Sequence, residues 1–134
     1  MRLTIATPAE IVVDDDAIQS LTAEDASGSF GIRPGHADLL TVLVPSVIAW
    51  KDGAGSEHFA AVRGGVLTVQ GGRTVEVASR EAFAGDDIDA LEAALAASVA
   101  AARDREAAAR AEAAGLQAAA LRHIQRYLQA TGAG

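Results

Sequence analysis

The chain has 134 residues, of which half are hydrophobic, with a formal net charge of −7 and no cysteine. The hydrophobic content supplies one core and excludes a wholly disordered chain, while the acidic balance argues against nucleic acid and anionic lipid as primary partners. The lack of cysteine excludes disulfide scaffolds, thiolate zinc sites and cysteine nucleophiles.

The first 85 residues consist of short β-type runs separated by turn residues. The predicted strands are 2–6, 10–13, 17–23, 30–32, 39–44, 46–51, 58–62, 66–70 and 74–78. Asp52-Gly53 and Gly71-Gly72 are the clearest hairpin signals, because paired turn residues lie between two runs rich in β-branched residues. Many short strands with frequent turns predict an all-β sandwich. With few aromatic residues, its core is expected to be built from Val, Ile, Leu and Ala.

The pattern changes from Asp86 onward. There is no proline, Gly115 is the only glycine before the last few residues, and alanine, the strongest helix former, dominates. Two apolar stripes recur at helical spacing. The first comprises Ile88, Leu91, Leu95 and Val99, and the second comprises Leu116, Leu121, Ile124 and Leu128.

These stripes predict an antiparallel αα-hairpin with helices over 87–102 and 106–129. The turn is placed at 103–105, where Asp104 is suited to cap the second helix. Gly115 is a rival turn site, and a single unbroken helix is also compatible with the alanine-rich sequence. The predicted fold class is therefore α+β, with a sandwich over 1–85 and a helical hairpin over 86–134. Alanine buries little apolar area, so the hairpin is expected to dock weakly.

The sequence contains no pattern that points to catalysis. His36, His58 and His123 are predicted in a turn, a strand and a helix, so no metal site is expected. The run of three aspartates at 14–16 lacks the spacing of a calcium loop and is interpreted as a solvated turn. The paired glycines fit no nucleotide-binding loop, and no Gly-x-Ser-x-Gly motif surrounds any serine. No catalytic residue and no cofactor are predicted.

The segment 28–40 is unusual because it combines turn formers with Phe30 and Ile32. Physically it is a short strand that runs into the Pro34-Gly35 turn. One interpretation is a tight corner of the sandwich. The other is an edge that exposes apolar side chains to a protein partner.

Part of this segment resembles a family signature. The run is Gly31-Ile32-Arg33-Pro34-Gly35-His36-Ala37-Asp38-Leu39-Leu40. It is similar to the Gly-Ile-x-Pro-Gly-His-Ala-x-Leu-Leu motif of the F-type ATP synthase epsilon subunit, called delta in mitochondria. Residues 3–8, 64–69 and 84–89 match other parts of that family in order. The resemblance implies a sandwich of about ten strands, an αα-hairpin, and a non-catalytic rotor role.

The resemblance also implies partners and interfaces. The partners are the gamma subunit and the c-ring, with the alpha and beta subunits of the catalytic head as further candidates. The implied c-ring interface comprises Ser29, Phe30, Ile32, Gly35 and His36, and the implied gamma interface comprises Thr7, His36, Thr41 and Val42. The implied location is the cytoplasmic face of the bacterial plasma membrane, as a peripheral part of the complex. No direct membrane insertion is expected, because no apolar run approaches the roughly 18 residues of a span. The coupling ion, proton or sodium, stays open.

In this family the helices can extend along gamma and slow ATP hydrolysis. The arginines that would meet acidic surfaces of the head are Arg103, Arg105, Arg110, Arg122 and Arg126. The alternative is that they are solvated helix charges paired with Asp104, Glu106 and Glu112.

Some family members bind ATP through an Ile/Leu-Asp-x-x-Arg-Ala motif. Here the corresponding run over 88–93 has Glu92 at the arginine position. A carboxylate repels phosphate, so no useful ATP affinity is expected. The aspartates at 14–16 are another departure from the family pattern, and they leave open whether the chain belongs to a main or a second ATPase.

Two other classes of function compete with the rotor role. One is an autonomous inhibitor or adaptor that binds a single partner through its helical hairpin. The other is a small sandwich enzyme, which has little support because no nucleophile, base or metal constellation is present. A stable complex with gamma alone would favour the rotor subunit over the adaptor.

Overall fold

The structure is a computed structural model that describes residues 1–131. Within these residues, eight strands are followed by one helix. The strands are β1 (Arg2–Ala6), β2 (Ile11–Asp15), β3 (Ser20–Asp25), β4 (Gly28–Ile32), β5 (Leu39–Lys51), β6 (Glu57–Gln70), β7 (Thr74–Ala78) and β8 (Ala82–Gly85). The helix is α1 (Ile88–Thr131). The last part of the predicted 86–134 domain, residues 132–134, lies outside the described residues.

The strand order across the sheet is β2-β1-β7-β6-β5-β3-β4, and β8 pairs with β6. All neighbouring strands are antiparallel except β1 and β7, which run parallel. The sheet folds over itself as a β-sandwich, and its core is aliphatic as predicted. The largest fully buried side chains are Leu3, Ile5, Leu21, Ile32, Ile48, Leu67, Val62, Val69, Val75 and Val77.

Eight strands are found where the sequence pattern gives nine and the resemblance implies about ten, because two pairs of predicted strands merge into long strands and β8 was not predicted. The sequence predicts a break at Pro45, yet β5 continues through it, with Pro45 opposite Arg63. β6 likewise continues through Gly64 and Gly65, which have φ of 74° and 116°. Each long strand was therefore counted twice in the sequence pattern. Glycine is required at 65, because an added Cβ would lie 2.1 Å from the carbonyl oxygen of Ala78.

The first part of α1 is packed on the sandwich. Asp87 caps the helix, because its Oδ1 accepts hydrogen bonds from the amides of Asp89 (3.0 Å) and Ala90 (3.3 Å). Leu91 is 5% exposed and contacts Gly85, where an added Cβ would lie 3.4 Å from its Cδ2. The compact unit that contains the sandwich ends at Val99.

A second compact unit begins at Ala100. Residues 103–130 of this unit are all exposed. They include the second predicted stripe, whose members are each more than half exposed: Leu116, Leu121, Ile124 and Leu128. Among residues 1–131, no helix has the length and apolarity needed to cross a membrane.

The predicted antiparallel hairpin is wrong for the described residues. α1 is continuous through 103–105, where the turn was placed, and through Gly115, the rival site. Asp104 lies inside the helix and caps nothing. The physical reason is that the segment contains no proline, and one interior glycine costs only about 1 kcal/mol relative to alanine. The unbroken helix, which the sequence also allowed, is the observed form, and the α+β class is confirmed.

Candidate functional site

The loop between β4 and β5 and the turn between β6 and β7 form one surface, here called the tip surface (residues 33–38 and 70–73). The amide of Gly35 donates a hydrogen bond to the carbonyl of Gly72 (2.9 Å). The amide of Gly71 donates to Oδ1 of Asp38 (2.8 Å). The two segments are thus joined by one backbone–backbone hydrogen bond and by one from a backbone amide to the side chain of Asp38. Asp38 has a structural role in this joint that the sequence did not reveal.

Close backbone contact makes glycine necessary in the tip surface. Gly72 has φ of 67°, and an added Cβ would lie 2.7 Å from Cα of Gly35. Gly35 itself has φ of 87°. The Pro34-Gly35 turn of the family signature therefore holds a particular backbone shape against the neighbouring turn.

The residues predicted at the c-ring interface have different exposures. Ser29 and Gly35 are exposed, His36 is half-buried, and Phe30 is half-buried against the core. Ile32 is 0% exposed, so its prediction as a contact residue is wrong. In β4 alternate side chains face opposite sides, and Phe30 and Ile32 both point inward. The exposed part of the signature is the turn that follows the strand.

The residues predicted at the gamma interface also lie on different faces. Val42 is 65% exposed on the outer face of β5. Thr41, the next residue toward the N-terminus, points the other way, and its Oγ1 donates a hydrogen bond to Oδ2 of Asp25 (2.7 Å). Thr7 shapes a turn, since its Oγ1 accepts hydrogen bonds from the amides of Ala9 and Glu10, both at 3.3 Å.

Thr41 contributes to the electrostatics of the turn between β3 and β4. Hydrogen bonds from Ser27 and then from Thr41 lower the pKa of Asp25 below its usual value, because they stabilise the ionised carboxylate. Thr41 therefore has a structural partner inside the chain. The side chain is half-buried and already holds Asp25.

An exposed row of apolar side chains crosses five strands, and we call it the apolar row. Its members are direct cross-strand neighbours on one outer face, in the order Val42, Val66, Ala78, Ala6 and Ile11. Val42 and Ile11 are 65% and 63% exposed, and Val66 is 38% exposed. At about 4.8 Å per strand the row is about 19 Å long. The nearby Leu40, 71% exposed, extends it along β5.

The other outer face of the sandwich is covered by the first turns of α1. Glu92 and Leu95 of the helix line a cleft with Thr22, Pro45 and Val47 of the sheet. The face that carries the apolar row has no such cover from residues 1–99. It is therefore the sheet face available for a partner.

His58 is accounted for by local structure. Its Nε2 lies 2.7 Å from Oδ2 of Asp52, and its ring stacks on Trp50 at a centroid distance of 5.7 Å. The hydrogen bond to Asp52 raises the pKa of His58 and lowers the pKa of Asp52. Within residues 1–131, no three His, Cys, Asp or Glu side chains are grouped so that they could hold a metal ion.

The five arginines considered for inhibition all lie on α1 after Val99. Arg103, Arg105, Arg110, Arg122 and Arg126 are exposed. The last two are one helical turn apart and follow Glu112, the last acidic residue of the chain. Glu92 is exposed and belongs to the unit that contains the sandwich.

Comparison with known proteins identifies the family. The family model described as the beta-sandwich domain of the ATP synthase delta/epsilon chain matches residues 1–85. The chain belongs to the ATP synthase delta/epsilon family. A relative from Paraburkholderia xenovorans, the ATP synthase epsilon chain 2, is 47% identical over 129 residues, which cover 96% of this chain and 93% of the relative. The predicted resemblance to the epsilon subunit is confirmed.

Solved structures share the delta/epsilon fold. A chain in the Euglena gracilis mitochondrial ATP synthase, in a structure of OSCP, F1 and c-ring, superposes with a TM-score of 0.59 and 22% identity. The match covers 73% of this chain and 62% of that chain. A chain in the Tetrahymena thermophila central stalk and c-ring gives a TM-score of 0.53 at 22% identity, covering 62% of this chain and 65% of that one. As an epsilon-family member, the chain is a non-catalytic accessory subunit of ATP synthase.

Proposed function

We propose that this chain is a rotor subunit of an F-type ATP synthase central stalk, where it couples the gamma subunit to the c-ring. The apolar row is the observation that carries the proposal, because it is an exposed contact surface on the sheet face that α1 leaves bare. The epsilon-chain relative and the central-stalk and c-ring setting of a structural neighbour support this proposal, and the family resemblance suggests gamma as the central-stalk partner. The subunit acts peripherally at the cytoplasmic face of the bacterial plasma membrane.

Gamma is the proposed occupant of the apolar row. Val42, which the resemblance placed at this interface, lies at one end of the row, and Thr7 follows Ala6 directly in the chain. Burying apolar surface is worth roughly 25 cal/mol per Å², so several exposed aliphatic side chains in one line supply a usable contact energy. The contribution of Thr41 is indirect, through its bond to Asp25.

The c-ring is the proposed partner of the tip surface. Gly35 is exposed and His36 half-buried there, and Ser29 is exposed on the preceding strand. The hydrogen bonds from Gly35 to Gly72 and from Gly71 to the Asp38 carboxylate hold this surface in one shape. A contact that transmits torque must resist deformation, and the joined turns meet that need. Phe30 supports the surface from the core side.

The rotor proposal is tested with Val42→Glu, which puts a carboxylate into the apolar row. Binding to purified gamma, measured by calorimetry or surface plasmon resonance, is expected to weaken at least about tenfold, because the charge must lose its water on docking. The matched control is Ala54→Glu, which adds the same charge in the exposed β5–β6 turn. Wild-type affinity of Val42→Glu for gamma would contradict the proposal, and circular dichroism verifies that both variants fold.

We further propose that the helix after Val99 slows ATP hydrolysis by contacts of its arginines with the alpha and beta subunits. The support is the concentration of exposed positive charge at Arg122 and Arg126, beyond the last acidic residue. In this proposal the sandwich of 1–85 docks on the stalk, and the regulatory part of the predicted 86–134 domain is the helix after Val99. Solvated helix charges paired with Asp104, Glu106 and Glu112 are the alternative.

Removing the chain after Val99 tests the inhibitory role while retaining the docked turns of α1. Hydrolysis by the assembled complex is expected to rise severalfold, since at about 1.4 kcal/mol per factor of ten even a modest lost contact is visible in the rate. The full-length Arg122→Gln/Arg126→Gln variant is expected to give part of the same rise. An unchanged hydrolysis rate in the truncated complex would remove the inhibitory proposal.

A further inference from the structure

A partly buried polar network joins α1 to the sandwich near Val99. Oε2 of Glu81 accepts hydrogen bonds from Oγ of Ser98 (2.7 Å) and from Nη1 of Arg63 (3.1 Å). Nη1 of Arg63 also donates to Oγ of Ser98 (3.4 Å). The three side chains therefore close a triangle, which we call the polar clamp. They come from β6, from the segment before β8 and from α1.

Burial makes the polar clamp costly to break. Ser98 is 5% exposed and the side chain of Arg63 is 14% exposed, whereas the side chain of Glu81 is 41% exposed, so the burial concerns the serine and the guanidinium. Hydrogen bonds to charged groups are worth more than neutral ones, and an unpaired charge at a buried site is strongly unfavourable. Glu81 is held in place by its backbone, since its carbonyl accepts from the amide of Arg63 (3.0 Å) and from Oγ of Ser79 (2.9 Å).

The polar clamp lies at the last turn of α1 that belongs to the sandwich unit. Leu91 and Ser98, the two buried residues of this segment, are seven residues apart and so share one helix face. Leu91 fixes the beginning of the segment against Gly85, and Ser98 fixes its end. The unit boundary follows one residue later, between Val99 and Ala100.

We propose that the polar clamp decides where α1 separates from the body of the molecule. With the clamp closed, residues 88–99 stay part of the sandwich, and any rearrangement of the helix begins after Val99. With the clamp open, the apolar contacts of Leu91 and the half-buried Leu95 are left to hold the segment, and release extends back toward Ile88. This proposal concerns the isolated chain and does not depend on gamma, the c-ring or inhibition.

Cysteine labelling measures opening of the clamp directly, because the chain has no native cysteine. Ala94→Cys places one thiol on the helix face shared by Leu91 and Ser98, at a half-buried position and with little change in volume. Its rate of reaction with a thiol reagent is then compared in the full-length chain with and without Ser98→Ala or Glu81→Gln. We expect the rate to rise roughly fivefold with Ser98→Ala and tenfold or more with Glu81→Gln.

Two controls separate clamp opening from other effects. Glu92→Gln removes an exposed carboxylate from the same helical turns and is expected to leave the labelling rate unchanged. A second reporter, Val62→Cys in the fully buried core, detects global unfolding. Alanine is the better helix former, so intrinsic propensity alone would slow opening in Ser98→Ala.

The outcome at each reporter decides the proposal. Faster labelling at the Ala94→Cys position with no change at the Val62→Cys position supports it. Equal rates in the wild-type and clamp-variant backgrounds would overturn it, as would an equal rise at both reporters. In the combined Ser98→Ala/Glu81→Gln background, a rate below the product of the two single effects is expected, because both changes open one network.

Discussion

Gly71 and Gly72 are adjacent residues with similar backbones but different surroundings. Their φ angles are 61° and 67°, in the region where residues with a side chain are strained. An added Cβ at Gly71 would meet nothing within 4 Å, whereas one at Gly72 would meet the backbone of Gly35. The pair therefore separates the cost of backbone conformation from the cost of losing the contact between the two turns.

Gly72→Ala is expected to destabilise the chain by roughly 2–4 kcal/mol, because the left-handed conformation and the backbone clash add together. Gly71→Ala, the matched control, should cost only about 1 kcal/mol from conformation alone. Urea unfolding followed by the fluorescence of Trp50, the only tryptophan, measures both. A similar loss of unfolding free energy in the two variants would mean that the contact between Gly72 and Gly35 does not hold the tip surface.

His58 and Ile32 show how residue roles differ from what residue type suggests. A histidine is often considered for metal or proton chemistry, but His58 lies on β6 and is held there by Asp52 of the preceding turn and by Trp50. Ile32 belongs to the most specific family signature in the sequence, yet it is fully buried. A specific motif thus identified the family correctly, while strand alternation decided which of its residues can touch a partner.

At the level of elements, α1 is longer than the sequence pattern predicted because nothing in the sequence requires a break. The two apolar stripes were interpreted as two helices facing each other. In the structure the first stripe is only partly buried: Leu91 is 5% exposed, Leu95 and Val99 are half-buried, and Ile88 is exposed. The second stripe is exposed on the same continuous helix. An apolar stripe shows which residues share one face of a helix, but two successive stripes do not show whether a turn separates them.

Gly115→Ala tests whether the helix is continuous at this residue in solution. Gly115 has no contact within 4 Å of an added Cβ and is not among the glycines with positive φ. Alanine should therefore stabilise the surrounding helix by up to about 1 kcal/mol. The readout is amide hydrogen exchange over residues 106–125, which should slow.

The reverse change, Ala114→Gly, is the matched control and should speed exchange over the same residues. If Gly115 instead formed a turn in the left-handed conformation, Gly115→Ala would destabilise the segment and exchange would become faster. Faster exchange in Gly115→Ala would thus contradict the continuous helix.

Much of the sandwich could be predicted from local sequence, whereas its surfaces could not. Turn residues and β-branched runs located most strands, and the family signature identified the tip surface. The apolar row depends on the register between paired strands. Val42 and Val66 are direct neighbours although they are 24 residues apart in the sequence, and the next neighbours across the sheet are Ala78 and then Ala6. The polar clamp likewise joins residues distant in the chain. Such neighbours become visible only when strand pairing is known.

At the level of the whole molecule, charge is divided unevenly along the sequence. Residues 1–99 carry fifteen acidic and six basic residues, whereas residues 100–134 carry three acidic and five basic ones. The overall charge of −7 therefore hides a net charge of −9 in the first part and +2 in the second. An acidic partner surface would favour the second part and repel the first, which matches the separate roles proposed for them.

The parallel pairing of β1 with β7 has a consequence for how the protein is made. During synthesis β1 leaves the ribosome early, but its parallel partner β7 is complete only when Ala78 has been added. At typical rates of about 5–20 residues per second, β1 and β2 wait for several seconds as an isolated pair. Closure of such a distant contact is a slow step. Nascent chains that do not yet include β7 would consequently expose the unpaired edge of β1 to chaperones.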